Sequence, residues 1–313
     1  MIIKYNTDSS SSISIKSMRK RDVKNHNKKM KKERNNLHSN FELNNFKGVN
    51  GDFLSYNNKI FMGISGIKDS DGWRELGFEL TKFLKSKKIK EVSVQAPNGD
   101  EFLEGMLLGD YEFKVYKSNK PNKEEPKIIV NFHSNLSEDR LKEIETSVYA
   151  QYLTKSLVNR SPQDANSQTI EDLVTTEFLD SPVEIEVLDE RDLARLGMRG
   201  HLAVNRASAN PAKVIKLSYT PKKPNQTIAL IGKGLTFDSG GLNIKPGKSM
   251  STMKSDKAGA MTLIGLMMYV KYHGSPNKIV CYLSLAENMI SSNAYRPDDV
   301  LTMKNGKTVH VKI

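Results

Sequence analysis

The chain has 313 residues, one cysteine, no long apolar run and no histidines at ligand spacing. Each absence removes a class of protein. The lone cysteine, Cys281, excludes a disulfide framework. Set in Ile279-Val-Cys-Tyr-Leu283, it reads as a small buried hydrophobe, which fits a reducing, cytoplasmic setting. No apolar stretch approaches the roughly 20 residues of a membrane span. Ile2-Ile3 is followed at once by Lys4, so there is no secretory apolar segment. The six histidines are scattered and no His-Glu-x-x-His pair exists, which excludes the zinc peptidases built on that helix. A phosphate loop is excluded twice: Lys233 is followed by Gly234 instead of Ser or Thr, and Gly306-Lys-Thr308 has Leu301 where a glycine is required. The dinucleotide pattern begun by Gly232 and Gly234 fails at Phe237. No internal repeat of solenoid period is present.

The net charge is +12, and it is unevenly spread. Residues 1–50 hold 12 Lys+Arg against 4 Asp+Glu, a net of +8; the remainder holds 36 against 32, a net of +4. The balanced remainder gives no case for a nucleic-acid surface. Residues 1–50 are rich in Asn, Lys and Ser, include Lys28-Lys-Met-Lys-Lys-Glu-Arg34, and read as a disordered basic arm. Such an arm suits an organelle transit segment, a biased extension with no address, or a contact with nucleic acid.

From residue 51 the pattern becomes periodic. Lys59–Ile64, Glu91–Gln95 and Lys127–Phe132 read as strands, and Trp73–Leu84 and Asp100–Leu108 as helices. Strands alternating with helices indicate an α/β layer with a largely parallel sheet. A long helical pattern begins at Ser137 and ends at Asn159-Arg-Ser-Pro162. It divides the chain into a first α/β domain, 51–135, a linker helix, 136–160, and a second α/β region, 161–313. In the second region Ile170–Phe178 and Arg191–Leu196 read as helices, and Val183–Leu188, Val214–Tyr219, Thr227–Ile231 and Lys278–Leu285 as strands. Pro221-Lys-Lys-Pro-Asn225 reads as a hairpin turn joining the strands at 214–219 and 227–231.

The stretch that organises the chain is Ile231-Gly-Lys-Gly-Leu-Thr-Phe-Asp-Ser-Gly-Gly-Leu-Asn-Ile-Lys-Pro246, continuing to Asp256-Lys-Ala-Gly-Ala-Met261. It precedes an apolar helix pattern, Ala258–Val270. Glycines of this density let a backbone turn sharply and approach something closely. Helix caps and solvated lysines would account for any one of these residues, but strain to explain all of them in one mostly apolar connection. A metal site is the alternative. Asp238 and Asp256 offer hard oxygen ligands suited to Zn²⁺, Mn²⁺ or Mg²⁺. Lys233 could join them only as a neutral amine, since a neighbouring dication disfavours the ammonium. Lys245 could stay cationic and polarise a substrate carbonyl or hold a developing oxyanion.

These runs closely resemble the leucyl aminopeptidase (cytosol aminopeptidase) family. The resemblance extends back through Leu196-Gly-Met-Arg-Gly-His-Leu-Ala-Val204, Ala207-Ser-Ala-Asn-Pro211 and Leu157-Val-Asn-Arg-Ser-Pro162 to the weaker Glu104-Gly-Met-Leu-Leu-Gly109. It extends forward through Ala286-Glu-Asn-Met289, Arg296-Pro-Asp-Asp-Val300 and Asn305-Gly-Lys-Thr-Val309. It covers residues from about 57 onward and leaves out the basic arm. It implies a macro-like N-terminal α/β domain joined by a long helix to an α/β catalytic domain with a mixed central sheet. It implies that Lys233, Asp238 and Asp256 are metal ligands, with Asp238 bridging, that Lys245 is the catalytic lysine and that Met253 lines the pocket for the substrate's N-terminal side chain. The implied reaction is release of leucine-like N-terminal residues from peptides by a homo-hexamer. Two ions, Zn²⁺ or Mn²⁺, about 3.5–4 Å apart, would bind the free amine and activate a bridging water.

After Asn305-Gly-Lys-Thr-Val-His-Val311 the family pattern continues with Asn-Thr-Asp-Ala-Glu-Gly-Arg-Leu, where this sequence ends at Lys312-Ile313. In the family that stretch supplies two further acidic ligands and the arginine that holds a bicarbonate base. The expectation is therefore a C-terminally truncated chain whose catalytic domain is incomplete and which is inactive alone. The alternative is a binding protein: nucleic-acid contact through the basic arm, or a pseudoenzyme associating with full-length subunits.

Overall fold

The computed structural model describes residues 1–5, 13–30, 45–95, 98–117 and 127–312. They form two compact units, Met1–Val148 and Tyr149–Ile313. The elements of the first are β1 (Ile2–Tyr5), β2 (Ile13–Met18), α1 (Lys20–Met30), β3 (Phe53–Tyr56), β4 (Lys59–Gly63), α2 (Ser70–Ser86), β5 (Glu91–Gln95), α3 (Gly99–Gly109) and β6 (Ile129–His133). A long helix, α4 (Glu138–Asn159), runs through the division between the units.

The sheet of the first unit has the order β1-β6-β5-β2-β4-β3, parallel except for the β3–β4 pair. This corrects the expectation for residues 1–50. Ile13-Ser-Ile-Lys16 alternates apolar and polar side chains, the period of a strand, and Met18 adds an apolar residue on the opposite face. β2 pairs with β4 and β5 and buries Ile15 and Met18. β1 pairs with β6, and Val23 of α1 packs with Met18, Phe46, Leu54 and Phe61. The low apolar content that suggests disorder is offset because the sheet supplies a buried neighbour that an isolated strand lacks. Residues 6–12 and 31–44 of the expected arm lie outside the described residues.

The second unit contains α5 (Ser167–Glu177), β7 (Val183–Leu188), α6 (Glu190–Arg195), α7 (Arg199–Asn205), β8 (Lys213–Tyr219), β9 (Thr227–Asp238), α8 (Gly247–Met250), a 3₁₀ turn (Met253–Lys257), α9 (Ala258–His273), β10 (Lys278–Asn288), β11 (Val300–Thr302) and β12 (Thr308–His310). The mixed sheet runs β7-β8-β10-β9. The expected hairpin between β8 and β9 is therefore not formed. β10 lies between them, antiparallel to β8 and parallel to β9. The reason is the helix that follows β9. A strand, a covering helix and a parallel return strand make a crossover, which seats β10 beside β9. The apolar face of α9 (Met261, Ile264, Met267, Met268) packs with Ile215, Leu217, Cys281, Leu283 and Leu285 of the sheet, all buried. Cys281 is fully buried there, and burial pushes its thiol up to about 11, so it acts as a small core hydrophobe. Among the described residues no helix is long and apolar enough to cross a membrane.

Candidate metal centre

β9 extends beyond the expected Ile231 and carries the glycine-rich stretch as far as Asp238. Gly232 and Gly234 therefore do not turn the chain. They let α9 approach it. A Cβ at Gly232 would lie 2.7 Å from the Ala260 Cα and 2.8 Å from its nitrogen. That contact carries the 3₁₀ turn preceding α9, and with it Asp256, up to Lys233. Lys233 Nζ lies 2.8 Å from Asp256 Oδ1. The turn is fixed from its other side by two lysines. Lys254 Nζ donates to the Asn159 carbonyl at 3.2 Å, and the fully buried Lys257 Nζ donates to the carbonyls of Lys254 and Arg160 at 2.6 and 3.3 Å. Burial, aided by the charge of Lys254, lowers the Lys257 ammonium to about 8.

A bulge then alters the phase of β9. Leu235 pairs with Ala286 and Asp238 with Asn288, so three steps on β9 match two on β10. Lys233, Leu235 and Asp238 thus oppose Ser284, Ala286 and Asn288, which alternate along β10 and share one face. In a regular strand of the same length, five residues on from Lys233, Asp238 would point to the opposite face. Asp238 is nearly buried, and each of its oxygens has donors. Oδ1 accepts from the Gly240 N–H at 2.9 Å and Asn288 Nδ2 at 2.8 Å, and Oδ2 lies 3.1 Å from Lys245 Nζ. Burial opposes ionisation of this carboxyl, but those bonds outweigh it and hold it below the ordinary carboxylate value.

The expected site residues therefore form two pairs, Lys233 with Asp256 and Lys245 with Asp238. The Lys233 side chain is 59% exposed. Asp256 Oδ2 is buried and has no hydrogen-bond partner. A cavity of about 320 Å³ adjoins Asp238 and Lys245 and is also lined by Asn243, Asn288 and Tyr295. Met253, expected to line a substrate pocket, opens the 3₁₀ turn and is not among the lining residues. Asn243, Asn288 and Tyr295 had no assigned role in the sequence. Asn288 stood in Ala286-Glu-Asn-Met289, but an amide without ligand spacing gives no chemical signal by itself.

Glu287, next to Asn288, faces the other side of the strand. It is buried and accepts from the Ser208 hydroxyl and, at 2.9 Å, from Asn210 Nδ2. Its own N–H donates to Asn205 Oδ1 at 2.8 Å. This network anchors the end of β10. Glu287→Ala leaves a half-buried hydroxyl and amide unpaired and is expected to cost about 1–3 kcal/mol, measured by urea unfolding against Glu287→Gln, which keeps an acceptor in place.

Residues 152–312 match the cytosol aminopeptidase family, catalytic domain. The "Probable cytosol aminopeptidase" of Sulfurihydrogenibium sp. is 36% identical over 256 residues, which are 78% of this chain and 51% of that protein. The protein of the same description from Aquifex aeolicus is 35% identical over 290 residues, 86% of this chain and 58% of that protein. The chain thus spans little more than half the length of these relatives. Among solved structures, a tomato leucine aminopeptidase mutant superposes with a TM-score of 0.82 at 21% identity, over 99% of this chain and 67% of that one. The bottromycin maturation enzyme BotP in complex with Mn superposes with a TM-score of 0.75 at 24% identity, over 86% and 60%.

Proposed function

This chain belongs to the cytosol aminopeptidase family, and from that premise we propose that Lys233, Asp238 and Asp256 hold a divalent metal ion, Mn²⁺ or Zn²⁺, for hydrolysis of N-terminal, leucine-like residues from peptides in the cytoplasm. The observation that carries this reading is the buried Asp256 Oδ2 without a partner, on a carboxylate whose other oxygen is held by Lys233. A hard cation is the partner such an oxygen suits. Two carboxylates and one amine fit one such ion, so the donor chemistry is right for the group.

When bound, the metal supplies Lewis-acid polarisation of the scissile carbonyl and a water nucleophile usable at neutral pH. The chain's own residues do the rest. Lys233 would hold the ion only as the neutral amine, its proton passing to solvent, and Asp256 would offer its unpartnered Oδ2 and the oxygen that Lys233 now holds. Asp238 stays ionised through its bonds from Gly240, Asn288 and Lys245. Lys245, at the edge of the cavity, offers its ammonium to the oxygen that gains charge as the carbonyl is attacked. Met253, outside that cavity, would border the substrate's first side chain.

A paired metal centre needs more donors than these three. Among the described residues no three His, Cys, Asp or Glu side chains cluster as a metal site. The 313 residues are therefore expected to bind about one equivalent of Mn²⁺ weakly and to leave leucine p-nitroanilide intact. Titration calorimetry and the anilide assay test this. Absence of Mn²⁺ binding by the folded chain overturns the metal reading. Turnover that Lys245→Ala abolishes overturns the inactivity. The non-catalytic alternative, nucleic-acid contact through the basic residues of 1–50, predicts salt-dependent retention on nucleic acid that replacing Lys28, Lys29, Lys31 and Lys32 with Gln removes.

A further inference from the structure

The proposed reaction gives Asn288 no task, yet this side chain is only 5% exposed, lines the cavity and is bonded to the central carboxylate. It is the last residue of β10 and faces Asp238 in register. Its Nδ2 donates to Asp238 Oδ1 at 2.8 Å and to the Tyr295 hydroxyl at 3.3 Å. Its carbonyl accepts from both the N–H and the hydroxyl of Ser239, at 2.9 and 2.8 Å. One residue thus grips the chain at Asp238 by its side chain and at Ser239 by its backbone. Glu287 in turn holds Asn288 rigid through the Ser208 and Asn210 contacts on the other face.

The remaining atom of the amide is the informative one. Asn288 Oδ1 is buried and has no hydrogen-bond partner. It lies under the turn after Asp238, where a Cβ at Gly241 would come within 3.0 Å of it. The amide cannot be turned to relieve this, because an ionised carboxylate only accepts and requires the nitrogen. For stability alone, a leucine of similar volume would avoid the orphaned acceptor. The fold tolerates the cost and keeps a donor aimed at Asp238 Oδ1. The terminal torsion of an aspartate is broad when nothing holds it. With Gly240 N–H and Asn288 Nδ2 both on Oδ1, the torsion is set and Oδ2 is turned towards Lys245.

We propose that Asn288 is the positioning residue of this centre: its amide, supported by Tyr295, sets the rotation of the Asp238 carboxylate and so decides which oxygen faces an incoming divalent cation. The proposal rests on the metal reading of Asp238 given above. Partners that orient a metal ligand without touching the metal typically change affinity 10- to 100-fold when removed.

The test uses the full 313-residue chain with Mn²⁺ or Co²⁺ as the only ligand. Asn288→Leu is expected to lower Mn²⁺ affinity about 10- to 100-fold in calorimetry. Its unfolding midpoint in EDTA should change little, because removal of the unpaired acceptor offsets the lost bond to Asp238. At saturating Co²⁺ the visible absorption band should shift, as the ligand geometry has changed. If Asn288→Leu does not fold, Asn288→Ala is read in the same three ways. Wild-type affinity and an unshifted Co²⁺ band in the variant would overturn the positioning role. So would an affinity loss that only tracks a loss of stability in EDTA. Absence of Mn²⁺ binding by the folded wild-type chain instead removes the metal reading, and this inference with it.

Discussion

Asp238→Ala is expected to lower the Mn²⁺ affinity of the chain by more than about 100-fold, beyond what loss of a merely orienting partner costs. The effect is large because the carboxylate is the meeting point of the site. It removes a ligand and also strands its three donors, the Gly240 N–H, the Asn288 amide and the Lys245 ammonium. The loss of these bonds, from one buried amide and two half-buried donors, should cost about 1–3 kcal/mol of stability in the metal-free protein. Asp238→Asn separates the two effects. Its amide oxygen still accepts from Gly240 and Asn288, so most of the stability should return, while the metal affinity should not. Calorimetry and urea unfolding read the two quantities independently. Retained affinity in Asp238→Asn would show that Asp238 is not a ligand. The sign of the pH dependence follows from the same bonds. The folded carboxyl lies below its ordinary value of 3.8, so its stabilising contribution is complete above that value and fades as the pH falls below it.

The second large effect is steric. In Gly232→Ala the new methyl would sit 2.7–2.9 Å from the backbone of Gly259 and Ala260. Those atoms begin a core helix and cannot step aside as a flexible side chain would. A loss near 3 kcal/mol, the upper end of ordinary overpacking, is expected in thermal or urea unfolding. Displacing the first turn of α9 also moves Asp256 away from Lys233, so Mn²⁺ affinity should fall with stability. Gly247→Ala is the control, because nothing lies within 4 Å of a Cβ there. If Gly232→Ala is as well tolerated as Gly247→Ala, the close packing of strand and helix is not what places Asp256.

The residues at which sequence and structure agree are those whose chemistry is local. The helical period from Ala258, the strand period at 183–188 and the charged side chains between Gly232 and Asp256 are visible without neighbours. What sequence reading missed depends on partners distant in the chain. Ile2–Tyr5 and Ile13–Met18 look too polar to order until strands whose paired residues stand 45 or more positions later flank them. The β8–β9 loop has hairpin chemistry, but the strand that separates the two follows only after α9. Gly232 and Gly234 look like a turn because a glycine needed for close approach and one needed for bending are the same letter. Asn288 acquired meaning only when the sheet register set it opposite Asp238.

The bulge in β9 has a consequence for how this segment can change over time. Its two halves are read in different frames: the even-numbered Gly232 and Gly234 face α9, yet the even-numbered Asp238 shares the side of Lys233. A substitution between Leu235 and Asp238 alters one side chain. Loss of a single codon there would remove the bulge and leave the carboxylate four positions after Lys233, still opposite Asn288 on the cavity side of a regular strand. A one-residue gap at these positions is therefore a length change that the facing of the carboxylate survives, and what the bulge adds is a local bend and twist that a regular strand lacks.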